Sequence, residues 1–311
     1  MTPRGGGLEA RLEGWRRNVG EAVALDLASP IEGGRAAGAT SFVVLSWNVW
    51  VGQGRLLEVV ERLEAGELGV PGHLPAVLLI QEAFRRDESI PERANRFAPR
   101  ELVTRVRPRQ DIVEVGRRLG WNLRYVPSMR NGAERSDRGN AILSPLPLGP
   151  ATAIELPLIL QRRVAVAAGV TIAGHQIRLV SAHLDPRGPV GYKWLGAAGR
   201  GLQMAHLLAE LEDPTVMLGA DLNLGRGRAE RAWRLLAESG FEPGVPPKLP
   251  AWRHTYHSLP RLVIDYILMR NRAGAIGSSA ITRVDEDPSD RGPNVFGSDH
   301  HPLVARVDLA T

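Results

Sequence analysis

The stretch TVMLGADLN, residues 215–223, is an apolar run that breaks at its end into two polar residues, Asp221 and Asn223. A short apolar run bounded by turn residues reads as a buried strand rather than a helix. The same break recurs along the chain. VVLSWN ends at Asn48, VLLIQE at Glu82 and RLVSAH at His183, while LVID carries Asp265. GSDHHPLVARV, residues 297–307, sets Asp299 and His300 directly ahead of a final apolar run. Strand ends in layered α/β proteins converge on one edge, where ligand sites form. The polar residues are therefore expected to meet.

Between these runs the pattern changes to helical spacing. GRLLEVVERLEAG is a helix ending at Gly66, DIVEVGRRLGW a second, about 193–212 a third, and RAERAWRLLAESG a fourth ending at Gly240. NLRYVPS and GNAILSPLPL read as strands joined by the polar loop MRNGAERSDR, and residues 162–185 as a hairpin turning at AGHQ. Residues 85–110 read as a polar surface excursion. Strand–helix–strand units of this kind make an α/β fold. The expected organisation is an N-terminal helical extension at 1–40 and one domain at 41–311, built of two stacked sheets with helices outside.

The 311 residues suffice for one large domain, and 43% hydrophobic content supports a sizeable core. No run approaches the roughly 18 apolar residues needed to cross a bilayer. The N-terminus lacks the apolar segment of a secretory signal. There is no cysteine, which excludes disulfides, thiolate metal sites and cysteine nucleophiles. A cytoplasmic, monomeric protein without stable membrane insertion is the expectation. Net charge is +5, and Lys193 and Lys248 are the only lysines among 39 basic residues. Arginine suits bidentate phosphate contacts, although a GC-rich genome produces the same bias.

Taken singly, each polar strand end has a plain structural reading: Asn and Asp as turn residues or helix caps, Glu as solvated surface, His as a satisfied structural group. Taken together they imply several carboxylates at one edge, which repel unless a cation lies among them. A hard divalent ion with oxygen ligands resolves the conflict.

LSWNV, LLIQEAF, RGNAILSPLPL, VSAHLDP, LGADLN, IDYIL and GSDHHPL follow the order found in the endonuclease/exonuclease/phosphatase superfamily, and the chain resembles that family over about residues 41–309. The resemblance implies a four-layer sandwich, with two mixed β-sheets packed face to face and helices outside. It implies hydrolysis of phosphoesters with one or two Mg²⁺ or Mn²⁺ ions. Glu82 matches the principal metal ligand and Asn48 the residue supporting it. Asp221 matches the aspartate that orients or deprotonates the attacking water, and Asn223 its partner on the phosphate or water. His183 matches a phosphate-contacting histidine, and Asp299 an acid near the metal or leaving group. His300 matches the histidine that stabilises phosphoryl oxygens, with Asp265 orienting it. A carboxylate behind an imidazole fixes the tautomer and favours imidazolium, which agrees with that pairing. Arg163 is a basic residue able to reach substrate from a strand end. Asn140 reads as structural and His301 as a spare pointing away. Trp50 stands where several nuclease branches carry an acid, which argues against a complete second metal position.

Substrate choice belongs to the loops at 50–54, 85–110, 127–138, 184–200 and 240–261. Arginines in RRDESIPER, RNGAERSDRG and DPRGPVGYKW suit a phosphate-bearing substrate. A phosphodiesterase or nuclease acting on nucleic acid or a similar diester ranks first. A phosphatase or sphingomyelinase-like phospholipid diesterase of the same fold ranks second. A non-catalytic phosphate-binding module ranks last, because every core polar position keeps a chemistry-competent type.

Overall fold

The computed structural model describes residues 5–28, 38–97, 108–186, 196–243, 254–286 and 295–310. Two runs dense in buried apolar residues lie at the centre of each half. In the first, strands β2 (Ser41–Asn48) and β3 (Ala76–Arg86) run parallel, joined through helix α2 (Leu56–Glu64). In the second, β8 (His175–His183) and β9 (Thr215–Asp221) run parallel, joined through helix α4 (Ala197–Ala209). Antiparallel strands flank both pairs. Together with β1 (Val23–Leu25), β4 (Asn122–Arg130), β5 (Ser136–Ser144), β12 (Ile276–Arg283) and β13 (Leu303–Leu309), the first pair forms a seven-stranded sheet ordered β1-β4-β5-β3-β2-β13-β12. With β6 (Thr152–Glu155), β7 (Val164–Ile172), β10 (Phe241–Pro243) and β11 (Asp265–Asn271), the second pair forms a six-stranded sheet ordered β10-β11-β9-β8-β7-β6.

Side chains alternate across each strand, so every central strand feeds two apolar layers. From β2, Phe42 and Val44 enter the space between the sheets, while Val43, Leu45 and Trp47 pack outward. From β9, Met217 faces the other sheet and Val216, Leu218 and Ala220 face outward. Helix α2 covers the first sheet with Leu56, Val59, Val60 and Leu63, at i, i+3, i+4, i+7 spacing. Helix α3 (Ile112–Leu119) lies on the same face. Its N-cap Asp111 accepts from the N–H groups of Val113 and Glu114, and Gly120 ends it in the left-handed region. Helices α4 and α5 (Arg231–Glu238) cover the second sheet. The result is the expected four-layer α/β sandwich.

Gly219, inside LGADLN, belongs to the packing between sheets. A Cβ there would lie 2.7 Å from Ser46 Oγ and 2.8 Å from Leu79 Cβ. The sheets approach this closely because one of them presents only backbone.

Several boundaries differ from expectation. The helix expected at about 193–212 is described from Ala197 to Ala209, and residues 187–195 lie outside the described residues, as do 98–107 and 244–253 of the substrate loops. Ser136–Arg138 belongs to β5, so the loop after Arg130 is shorter than MRNGAERSDR suggests. Strands β6, β10 and β12 were not anticipated. Within the first 40 residues, helix α1 (Gly5–Arg16) is followed by edge strand β1, paired with β4. Side chains from the sheet anchor this segment. Asp137 accepts from the Gly20 N–H, Arg85 donates to the Glu21 carbonyl, and Asn122 accepts from the Leu27 and Ala28 N–H groups. Arg85 and Asp137 are themselves a fully buried ion pair at 2.6 Å, with Tyr125 donating to the same carboxylate.

Candidate active site

The inter-sheet rows change character along their length. They are apolar through Phe42 and Val44, Val77 and Leu79, Ile177 and Leu179, Met217, Ile267 and Met269. One step further they turn small or polar at Ser46, Gln81, Ser181 and Gly219. There Gln81 Nε2 donates to Ser181 Oγ at 3.1 Å and to the Gly219 carbonyl at 3.2 Å. The next step carries Asn48, Glu82, His183, Asp221 and Asp265. A two-residue period thus delivers four of these side chains, Asn48, His183, Asp221 and Asp265, to one mouth of the sandwich.

Register fixes three of them. His183 and Asp221 are partners in the β8–β9 ladder, and Asp221 and Asp265 are partners in the β9–β11 ladder. Glu82 needs a correction of phase, which comes from a bulge. The β3–β5 register shifts between Ile80 and Ala83, and Glu82 sits at φ +52°. Its Oε1 lies 4.0 Å from His183 Nδ1 on the opposite sheet. Trp50, Val51 and Asn223 also adopt positive φ. Such strained backbone collects at functional sites, and for β-branched Val51 it is a clear outlier.

Asp221 is the hub. Asn48 Nδ2 donates to its Oδ2 at 3.0 Å, the Asn223 N–H donates to its Oδ1 at 3.0 Å, and His183 Nε2 lies 3.3 Å from Oδ2. Burial and the neighbouring Asp265 raise its pKa to about 7, against the opposing pull of His300, Asn48 and Asn223. His300 Nδ1 pairs with Asp265 at 2.9 Å, while its Nε2 lies 3.9 Å from Asp221 and 3.7 Å from Asp299. Burial works against charge on His300, but Asp265, aided by Asp299 and Asp221, lifts its pKa to about 10. His183 is the opposite case: burial, Arg163 and His300 push it well below the ordinary range. One histidine is built to be imidazolium and the other to be neutral.

Asp299 and Glu82 are two largely buried carboxylates at this mouth, and burial together with Glu82 raises the Asp299 pKa. A pair of hard oxygen donors with mutual repulsion fits a divalent cation. Asn48, whose Oδ1 takes the Trp50 N–H, stands beside them. Arg163 is buried and held by Asp185 Oδ1 at 3.4 Å and Gln161 Oε1 at 2.9 Å. Asn140 donates to the Val164 carbonyl at 2.6 Å. The nine expected site residues therefore share one region.

Sequence reasoning missed several supporting residues. Thr255 Oγ1 accepts from the Ile264 and Asp265 N–H groups and so holds Asp265 in place. The Tyr256 ring lies 5.0 Å from that of His300. Asp185, inside VSAHLDP, is buried and holds Arg163, and an acid two residues after a polar strand end is the signal that points to it.

A model of the endonuclease/exonuclease/phosphatase family matches residues 45–300. No curated protein sequence matches the chain significantly. Among solved structures, an endonuclease/exonuclease/phosphatase family protein from Leptotrichia buccalis superposes with a TM-score of 0.56 at 13% identity, covering 87% of this chain and 100% of that one. The human Nocturnin catalytic domain, with bound sulfate anion, gives 0.56 at 16% identity over 93% and 98% of the two chains. D. rerio TDP2, complexed with single-strand DNA product, gives 0.52 at 17% identity over 86% and 99%. At these identities the likeness is one of fold.

Proposed function

Since the chain belongs to the endonuclease/exonuclease/phosphatase family, we propose that it hydrolyses phosphodiester bonds, with nucleic acid or a nucleotide-like diester as substrate. The observation that carries this reading is the Asp221 hub, tied to Asn48, Asn223 and His183 and faced by a His300–Asp265 pair. In-line hydrolysis needs a held water, an acceptor for its proton and fixed positive charge over the phosphoryl oxygens.

Asp221 orients the water and accepts its proton, while Asn48 and the Asn223 N–H hold the carboxylate in place. The water oxygen forms a bond to phosphorus, the bond to the leaving oxygen breaks, and that oxygen takes up a proton from solvent. His300, imidazolium through neutral pH and pinned by Asp265, donates from Nε2 to a phosphoryl oxygen. His183, neutral, and the Asn223 amide contact the phosphate, with Arg163 behind them. Glu82 and Asp299, with Asn48, would hold Mg²⁺ or Mn²⁺. Such an ion would draw charge from the phosphoryl oxygens and relieve repulsion between the carboxylates. The similarity to a TDP2 complexed with single-strand DNA supports a nucleic-acid substrate.

The test is Mg²⁺-dependent hydrolysis by untagged protein across duplex and single-stranded DNA, RNA, sphingomyelin, inositol phosphates and an aryl phosphodiester, with Asp221→Asn and EDTA controls. Cleavage of a nucleic acid that both controls abolish supports the reading. Selective cleavage of a lipid or inositol phosphate would move the assignment to that branch. Background hydrolysis equal in wild type and variant would overturn it.

A further inference from the structure

His300 and His301 are neighbours in sequence but face opposite ways. Tyr256 pairs with His300 in an antiparallel bridge, the His301 N–H donates to the Thr255 carbonyl, and the His257 N–H to the Asp299 carbonyl. Alternation along this short ribbon sends His300 to the active site and His301 to the other side. There His301 meets His254 and His257. All three are buried, at 3%, 6% and 1% exposure for His254, His257 and His301.

The nitrogens converge. His254 Nε2 and His301 Nε2 each lie 3.3 Å from His257 Nδ1. Ring centroids stand 5.3, 5.3 and 5.4 Å apart, with interplanar angles of 51°, 80° and 50°. A tetrahedral ion with bonds of about 2.0–2.1 Å to nitrogen sets its ligands about 3.3–3.4 Å apart. Hydrogen bonding alone fits the cluster less well. An imidazole nitrogen directs one lone pair or one N–H in the ring plane, and Nδ1 of His257 faces two nitrogens at once.

The outer groups have the order expected around a ligand. His301 Nδ1 lies 3.3 Å from the Val284 carbonyl and 2.8 Å from Asp285 Oδ1, both acceptors only, which assigns the proton to Nδ1 and leaves the Nε2 lone pair aimed inward. Arg283 holds Asp285 at 2.9 Å and donates to the His254 carbonyl at 2.7 Å, fastening the second shell to the first. Three imidazole nitrogens select a borderline, nitrogen-preferring ion over Mg²⁺.

We propose that His254, His257 and His301 form a Zn²⁺ site, distinct from the carboxylate-rich mouth, that staples residues 254–257 to the loop carrying Asp299 and His300.

Untagged full-length protein, stripped with chelator and held in excess Mg²⁺, is titrated with Zn²⁺. One equivalent is expected to bind and to raise Tm. Zinc X-ray absorption of the loaded wild type is expected to count three imidazoles. His257→Gln should weaken binding at least 100-fold and Asp285→Asn about 10–100-fold, whereas Glu82→Gln should leave it intact. No stoichiometric zinc, fewer than three imidazoles, or loss of binding in Glu82→Gln instead would each overturn the proposal. The wild-type spectrum decides the matter even where a histidine variant does not fold.

Discussion

The Asp265 carboxylate meets His300 Nδ1 at 2.9 Å, and both side chains are almost wholly buried. This contact holds the imidazolium to about pH 10. The folded-state pKa lies above the unfolded value of about 6.5, so the stability it contributes is full below that value. It is lost as pH climbs toward about 10. Asp265→Asn should move the alkaline limb of the kcat/KM profile toward neutrality and lower kcat about 10²–10⁴-fold. Profiles measured from pH 6 to 10 check it. An unmoved alkaline limb would separate His300 from the chemistry.

Asp221 should show function and stability in opposition. Burial and Asp265 raise its pKa to about 7, so the fold favours its neutral form. Ionisation therefore withdraws stability as pH rises from about 4, the unfolded value, through about 7. Asp221→Asn should abolish turnover while leaving Tm at pH 8 equal to or above that of wild type. Thermal melts at pH 5 and pH 8 test the sign.

Gly219→Ala should destabilise without replacing any of the nine site residues. Its new Cβ would meet Ser46 Oγ at 2.7 Å and Leu79 at 2.8 Å, and overpacking of this kind costs about 1–3 kcal/mol. Denaturant melts should show a lower midpoint with an unchanged slope. A wild-type midpoint would mean that the sheets can part at this level at no cost.

Asp137→Ala should leave Arg85 charged and buried, a loss of about 3–5 kcal/mol. The same change removes the acceptor of the Gly20 N–H. Proteolysis near residues 20–28 should accelerate well before global unfolding. Equal cleavage rates in both proteins would show that β1 is held by its ladder alone.

The strands that build the site were legible because apolar runs such as VVLSWN and VMLGADLN end abruptly in polar residues, a pattern few loops share. Strand β12 was not. At the sheet edge its residues Gly277–Ala280 are exposed, so IGSSAITR carries no alternation to read. Strand β10 is too short to show a period. Glu82 could be named from its motif, but its orientation depends on a bulge, which no local pattern announces. On sequence alone His301 reads as a spare pointing away. It does point away from His300, but toward His254 and His257, which lie far off in sequence. The HTYH spacing at 254–257 was the available signal, and it gains meaning only beside SDHH.

Strand β13 inserts between β2 and the edge strand β12 of the first sheet, although β2 lies near the opposite end of the described chain. Closing so distant a pairing is slow, because loop entropy is lost before any contact compensates it. Until that strand docks, Asp299 and His300 have no fixed place opposite Asp221. A folding intermediate with every strand but β12 and β13 in register would thus be a catalytically silent species. Turnover would then report the last event of folding rather than the first appearance of a sheet.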